Sequence, residues 1–87
     1  MKPFTLKISS PEGDLFCGEV VKLSVRGTEG ELAVMAGHTP FVTSLVRCEC
    51  TVELEDGERR IGSADGGILT VSNDKTTLLS GSFAWKK

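Results

Sequence analysis

The sequence predicts an all-β fold, a small flattened β-sandwich or barrel of about ten short strands. Apolar and polar residues alternate with a period of two along most of the chain, which is typical of strands with one buried face. Turns containing glycine or proline separate these segments at intervals of roughly 8 to 12 residues, as in sandwiches and barrels. No window shows a helical stripe of apolar residues with capping residues. With 87 residues, the chain is predicted to be a single domain, residues 1–87.

The first half of the chain consists of short predicted strands separated by tight turns. Phe4, Leu6 and Ile8 share one face of the first strand. Segment 10–14 then has turn chemistry, because proline fixes φ and glycine permits positive φ. A second tight loop is predicted between Gly27 and Gly30. The other strands predicted here begin at Leu15 or cover 21–25, 31–35 and 41–46.

The second half contains the clearest alternation, over residues 48–54, with apolar residues and cysteines on the inner face. Asp56-Gly57 is the strongest hairpin signal in the chain and favours a type I′ turn. Residues 82–87 are predicted to be a short C-terminal tail, whose Trp85 either packs back on the sandwich or is an exposed anchor. The remaining strands are predicted over 59–64, 68–71 and 76–79, with turns at Asp65-Gly66-Gly67 and 72–75.

Composition and charge exclude several classes of protein. Ten basic and 12 acidic residues are well mixed and give a net charge of -2, so nucleic acid is not an expected partner. No run reaches the roughly 18 apolar residues that a membrane-spanning helix needs. The N-terminus turns polar too early for a signal peptide, which favours the cytosol or an organelle matrix. The three cysteines are an odd number and are expected to be reduced thiols.

Three groups of residues are candidates for a chemical site. His38, the only histidine, is either a general base or metal ligand, or it holds the Gly-His-Thr-Pro corner by hydrogen bonds; no partner nearby in sequence supports catalysis. Cys48 and Cys50 point the same way on a strand, but a closed zinc site needs four ligands, which favours two small buried side chains. Glu29 and Glu31 form either a solvated acidic turn or an acidic knob that meets a partner. We therefore predict no catalytic, cofactor or metal site, and an interaction surface instead.

Several segments in this order and spacing resemble the N-terminal domain of the epsilon subunit of F-type ATP synthase. The resemblance extends from about Phe4 to Gly81. It implies a β-sandwich of about ten strands at the foot of the rotary central stalk, without catalysis of its own. The segments that carry it are Ile8-Ser9-Ser10-Pro11-Glu12-Gly13, Phe16-Cys17-Gly18-Glu19-Val20, Gly27-Thr28-Glu29-Gly30-Glu31-Leu32, Gly37-His38-Thr39-Pro40 and Gly66-Gly67-Ile68-Leu69-Thr70-Val71.

The resemblance also implies partners and contact residues. The family binds the gamma subunit and the c-ring of the membrane sector, and it helps couple ion-driven rotation to ATP synthesis at the cytoplasmic face of the bacterial inner membrane. Contact with the membrane is expected only through the complex. The implied c-ring contacts are Thr28, Glu29 and Glu31. The implied gamma or ring interface consists of Ser10, His38, Thr39, Pro40, Phe41 and Val42.

The chain departs from the common family pattern at its C-terminus. Most bacterial epsilon subunits continue into a pair of helices, whereas this sequence ends at Lys87 after the last predicted strands. We therefore expect a short form without the helical hairpin. The alternative function is a stand-alone β-sandwich module that binds a peptide by strand addition at an open edge. An enzyme would need His38, Asp65 and a cysteine to converge in a pocket.

Overall fold

The computed structural model describes residues 2–37, 39–73 and 75–86, and these residues form eight strands and no helix. The prediction of an all-β sandwich is confirmed. The strands are β1 (Phe4–Ser10), β2 (Gly13–Val20), β3 (Lys22–Gly27), β4 (Gly30–Val34), β5 (Phe41–Glu53), β6 (Arg59–Val71), β7 (Lys75–Leu79) and β8 (Phe83–Trp85).

A long hairpin of β5 and β6 organises the sheet. The two strands pair from Phe41↔Val71 to Glu53↔Arg59, and a turn that contains Asp56-Gly57 joins them, as predicted. The predicted type I′ geometry is wrong, because it requires positive φ at both Asp56 and Gly57, and only Gly57 has it, at 89°. The N–H of Gly57 donates to the carbonyl oxygen of Leu54 at 3.0 Å, so the loop is longer than two residues and ends in a left-handed glycine. The strand order is β2-β1-β7-β6-β5-β3-β4, with β8 beside β6. All pairs are antiparallel except β1 and β7, which are parallel. The N-terminal half of β6 pairs with β8 and its C-terminal half with β7, so each half of the hairpin belongs to a different half of the sandwich.

The number of strands is smaller than predicted because the two long strands do not break where the sequence suggested. The turn predicted at Asp65-Gly66-Gly67 is wrong, since β6 continues through these residues and Gly67 pairs with Leu45. Gly66 and Gly67 do adopt positive φ, at 80° and 141°. On β6 the buried residues have even numbers up to Ala64 and odd numbers from Leu69 onward. The two glycines therefore change which residues face inward, although the strand continues through them.

The core is one cluster to which seven of the eight strands contribute fully buried side chains. Fourteen hydrophobic residues are buried, and they include Cys50, as predicted for a small apolar side chain. Cys48 is partly buried against the same cluster, and all three cysteines are free thiols. The segment predicted as a C-terminal tail contains β8, and its Trp85 packs against Phe16 of β2.

Candidate functional site

A patch of uncharged side chains covers much of the outer surface of β5, β6 and β7 in one half of the sandwich. By register and alternation, six side chains lie on it, and we call them the apolar face: Val42, Ser44, Ile68, Thr70, Thr77 and Leu79. Val42, Ile68 and Leu79 are 68%, 48% and 49% exposed. Ile68 lies directly opposite Leu79, and Val42 is its diagonal neighbour, so the three form a continuous patch. Two charges border this face: Lys75 precedes Thr77 on the same side of β7, and Lys7 pairs with Thr77 across β1 and β7.

A shallow slot adjoins the apolar face where β1 ends. The slot is an opening of about 420 Å³ whose lining is almost wholly apolar in its exposed area. The predicted interface residue Ser10 borders it, so the structure brings Ser10 and Val42 to the same outer surface. The lining residues are Ser9, Ser10, Pro11, Gly67, Ile68, Leu79, Ser80 and Gly81.

The outer surface of the other half of the sandwich has the opposite character. We call it the charged face, because four ion pairs lie across its strands. In each pair a positive side chain meets a carboxylate, so most of the charge on this face is balanced, and exposed pairs of this kind contribute little to stability. Lys22 also lies on this side, opposite Glu53. The pairs are Arg26–Glu31 and Arg47–Asp65, both at 3.9 Å, Arg59–Glu53 at 3.6 Å, and Lys86–Glu49.

The predicted acidic knob lies at the border between these two faces. Gly30, with φ 126°, closes the turn between β3 and β4, and the turn exposes Thr28 and Glu29. The backbone N–H of Thr28 donates to the carbonyl oxygen of Ser44 at 3.1 Å, which holds the tip beside the apolar face. Glu31 follows on β4, where its side chain is 81% exposed and pairs with Arg26 on the charged face.

The remaining predicted interface residues precede or begin β5. Thr39 and Pro40 are exposed, and His38 lies outside the described residues. Phe41 is partly buried against the core and lies opposite the buried Val71, so it belongs to the inner surface. Sequence reasoning missed Ile68, because the change of phase at the preceding glycines hides which side of β6 faces outward.

The titration of Cys50 gives a testable link between pH and stability. Burial, followed by the neighbouring Cys48 and Glu49, raises the pKa of the Cys50 thiol from 9.0 to about 12. The folded state therefore keeps a proton that the unfolded chain releases above pH 9. Stability from this group is present below pH 9 and is lost as the pH rises from about 9 towards 12. We expect the free energy of unfolding to fall by about 1 kcal/mol for each pH unit above pH 9 because of this group.

Urea unfolding of the wild type and of Cys50→Ala between pH 8 and 10.5 measures this loss. The variant should be less stable at pH 8. Its free energy of unfolding should fall less steeply with pH, because it lacks the Cys50 thiol. If the free energy of unfolding falls equally with pH in both proteins, then the loss does not come from Cys50.

Two kinds of feature are absent from the residues that the structure describes. No three His, Cys, Asp or Glu side chains of residues 2–37, 39–73 and 75–86 are grouped to hold a metal ion. Over the same ranges there is no helix of the length and hydropathy that crossing a bilayer requires. The surface features of these residues that stand out are the apolar face, the charged face and the acidic turn between β3 and β4.

The described fold matches chains of two mitochondrial ATP synthase structures. One, from the OSCP/F1/c-ring assembly of Euglena gracilis, aligns with a TM-score of 0.91 at 22% identity and covers 95% of this chain and 53% of that chain. The other, from the central stalk and c-ring of Tetrahymena thermophila, aligns with a TM-score of 0.77 at 9% identity over 92% of this chain and 64% of that chain. At these identities the likeness concerns the fold.

Three curated bacterial proteins are more similar in sequence to this chain than the two structures are. The ATP synthase epsilon chain of Acetobacterium woodii, described as sodium ion specific, is 34% identical over 82 residues, which are 94% of this chain and 62% of that protein. The epsilon chain of Psychrobacter cryohalolentis is 35% identical over 80 residues, 92% of this chain and 58% of that protein. That of Cutibacterium acnes is 33% identical over 72 residues, 83% of this chain and 49% of that protein.

The chain thus spans about half to three fifths of the length of these curated relatives. The family model described as "ATP synthase, Delta/Epsilon chain, beta-sandwich domain" matches residues 3–86, nearly the whole chain. The resemblance noted in the sequence is therefore confirmed, and the chain belongs to the family of ATP synthase delta/epsilon β-sandwich domains.

Proposed function

We propose that this chain acts as the epsilon component of the central stalk of an F-type ATP synthase. In this role it binds the gamma subunit and the c-ring, and it helps couple ion-driven rotation to ATP synthesis without catalysis of its own. Its place is the cytoplasmic face of the bacterial inner membrane, held there by the complex. Membership of the epsilon family supports the proposal, and the contrast between the two outer faces carries it.

The apolar face is the surface we assign to gamma. Three exposed aliphatic side chains cluster on it with three short polar ones, and no charged side chain lies among them. A continuous exposed apolar patch on a small domain is typical of a protein-binding surface. The charged face is a poorer candidate, because a partner would have to desolvate or replace its ion pairs.

The acidic turn is the contact we assign to the c-ring. Thr28 and Glu29 project from the β3–β4 turn, and Glu31 follows at its edge with an exposed carboxylate. Carboxylates at the rim of an interface act mainly on orientation and on association rate. The bond between Thr28 and Ser44 fixes this turn next to the apolar face, so gamma and ring contacts would meet along one border of the domain.

Binding to the purified gamma subunit tests this assignment. We expect Ile68→Asp to weaken gamma binding at least 100-fold, because it places a charge in the centre of the apolar face. Ile61→Asp is the matched control, since Ile61 is 37% exposed and lies on the charged face. Calorimetry or a pull-down at physiological salt measures both, with circular dichroism to verify that each variant is folded.

Two outcomes would contradict the proposal in different ways. Equal loss of binding in the two isoleucine variants would remove the apolar face as the gamma contact. A folded wild-type domain that does not bind gamma at all would favour the stand-alone interaction module. Glu31→Lys should leave gamma binding unchanged, because we assign that carboxylate to the ring.

A further inference from the structure

Cys48 and Cys50 form a thiol pair that the proposed interfaces do not use. They are two residues apart on β5 and lie opposite Ala64 and Gly62 of β6, so both side chains are on the same side of the strand. Cys50 is fully buried, whereas Cys48 is partly buried. Both thiols therefore lie side by side beneath the same strand, against the core cluster.

The spacing of the pair suits a bridging ion better than a disulfide. Two residues along a strand separate Cα atoms by about 6.6 Å. Disulfides most often join Cα atoms about 5.5 to 6 Å apart and reach their limit near 7 Å. A single ion between two sulfurs lengthens the bridge from about 2 Å to about 4.6 Å, twice a metal–sulfur bond of about 2.3 Å.

An opening in the sheet gives access to Cys48. The β3–β5 ladder is interrupted between the pairs Ser24↔Thr51 and Gly27↔Leu45, so that residues 46–50 of β5 face only residues 25–26 of β3. The resulting opening has a volume of about 670 Å³ and Cys48 is in its lining. The charged residues in that lining are Arg26, Glu31, Arg47 and Glu49.

We propose that Cys48 and Cys50 form a two-coordinate site for a soft monovalent cation of the Cu(I) type. Zinc is a poor fit, because it takes four ligands and no group of three potential metal ligands occurs among the described residues. Thiolates select soft ions such as Cu(I). Binding forms two metal–sulfur bonds and releases both thiol protons, which leaves a bis-thiolate complex with one negative charge. The charged side chains that line the opening balance, with Arg26 and Arg47 against Glu31 and Glu49, so the affinity of the site comes from its two sulfurs.

Anaerobic titration with Cu(I) against a chromophoric Cu(I) chelator tests the site. We expect the wild type to bind one ion, and Cys48→Ser to bind at least 100-fold more weakly, because it retains only one sulfur of the pair. Cys17→Ser is the control, since Cys17 is exposed on β2 and outside the pair, and it should bind like the wild type. Because Cys48 is only partly buried, its replacement by serine should leave the fold intact, which circular dichroism verifies.

Thermal unfolding with and without Cu(I) separates a folded site from binding to the unfolded chain. An ion that binds the native pair raises the melting temperature of the wild type and of Cys17→Ser, but not that of Cys48→Ser. A melting temperature lowered by Cu(I) would overturn the proposal, because the ion would then prefer the unfolded chain. Equal affinity in the wild type and Cys48→Ser, or loss of affinity in Cys17→Ser, would overturn it as well.

Discussion

Replacing Gly67 by alanine is expected to lower the free energy of unfolding by more than about 4 kcal/mol, which is enough to unfold most of the protein. Two causes act together. Gly67 has φ 141°, a conformation that residues with a Cβ rarely adopt. A Cβ built there would also overlap the carbonyl oxygen of Leu79, which is backbone of β7 and has little freedom to move. Urea unfolding followed by far-UV circular dichroism measures the loss.

Gly13→Ala separates these two causes. Gly13 has a similar φ of 132°, but no heavy atom lies within 4 Å of the position of its added Cβ. This variant should therefore show only the cost of backbone strain, about 1 to 3 kcal/mol. Similar losses in Gly13→Ala and Gly67→Ala would show that the close approach of β6 to β7 is not the cause.

Trp85→Ala is expected to lower the free energy of unfolding by about 2 to 3 kcal/mol, somewhat less than a fully buried tryptophan would. The Trp85 ring packs edge-on against Phe83 and Phe16, with ring centroids 5.1 and 5.9 Å apart, and the Arg60 guanidinium lies 4.3 Å from its centroid. Phe16 is on β2 and Trp85 on β8, two strands that do not pair. This side chain therefore ties the C-terminal strand to the edge of the sandwich.

Lys86→Ala is the matched control for this variant. Lys86 follows Trp85 directly, but its side chain is exposed and pairs with Glu49 at the surface. Its removal should change stability by less than about 0.5 kcal/mol. If Trp85→Ala also unfolds at the wild-type urea concentration, then the aromatic cluster does not contribute to stability, and β8 is held by its ladder to β6 alone.

The period-two pattern was sufficient to predict the fold class, because most strands bury one face and expose the other. It failed at the centre of β6. Two consecutive glycines with positive φ normally indicate a turn, but here they shift the alternation while pairing with β5 continues. Only the partner strands determine whether such a pair of glycines ends a strand, and partner strands cannot be read from local sequence.

The exposure of some candidate interface residues could be predicted from the same alternation, although their role in binding stays a prediction. Val42 and Ser10 lie on or beside the apolar face, and Thr28 and Glu29 are at an exposed tip, as the sequence suggested. Phe41 and Val42 were both predicted to be interface residues. Neighbouring residues on a strand point to opposite sides, and Phe41 faces the core. Which of the two faces outward depends on the register with β6.

The parallel pairing of β1 with β7 has a consequence for synthesis of the protein. Thr5 pairs with Lys75, which is 70 residues later in the chain (75 − 5), so this pairing cannot form until β7 has been synthesised. Such distant pairing makes folding slow compared with domains built from local contacts. During translation β1 can pair with β2, which follows it directly, but its β7 edge stays open until the end of synthesis. Its apolar residues Phe4, Leu6 and Ile8 are the core residues that lack their full burial during that interval, and unpaired strand edges with exposed apolar side chains are prone to aggregation.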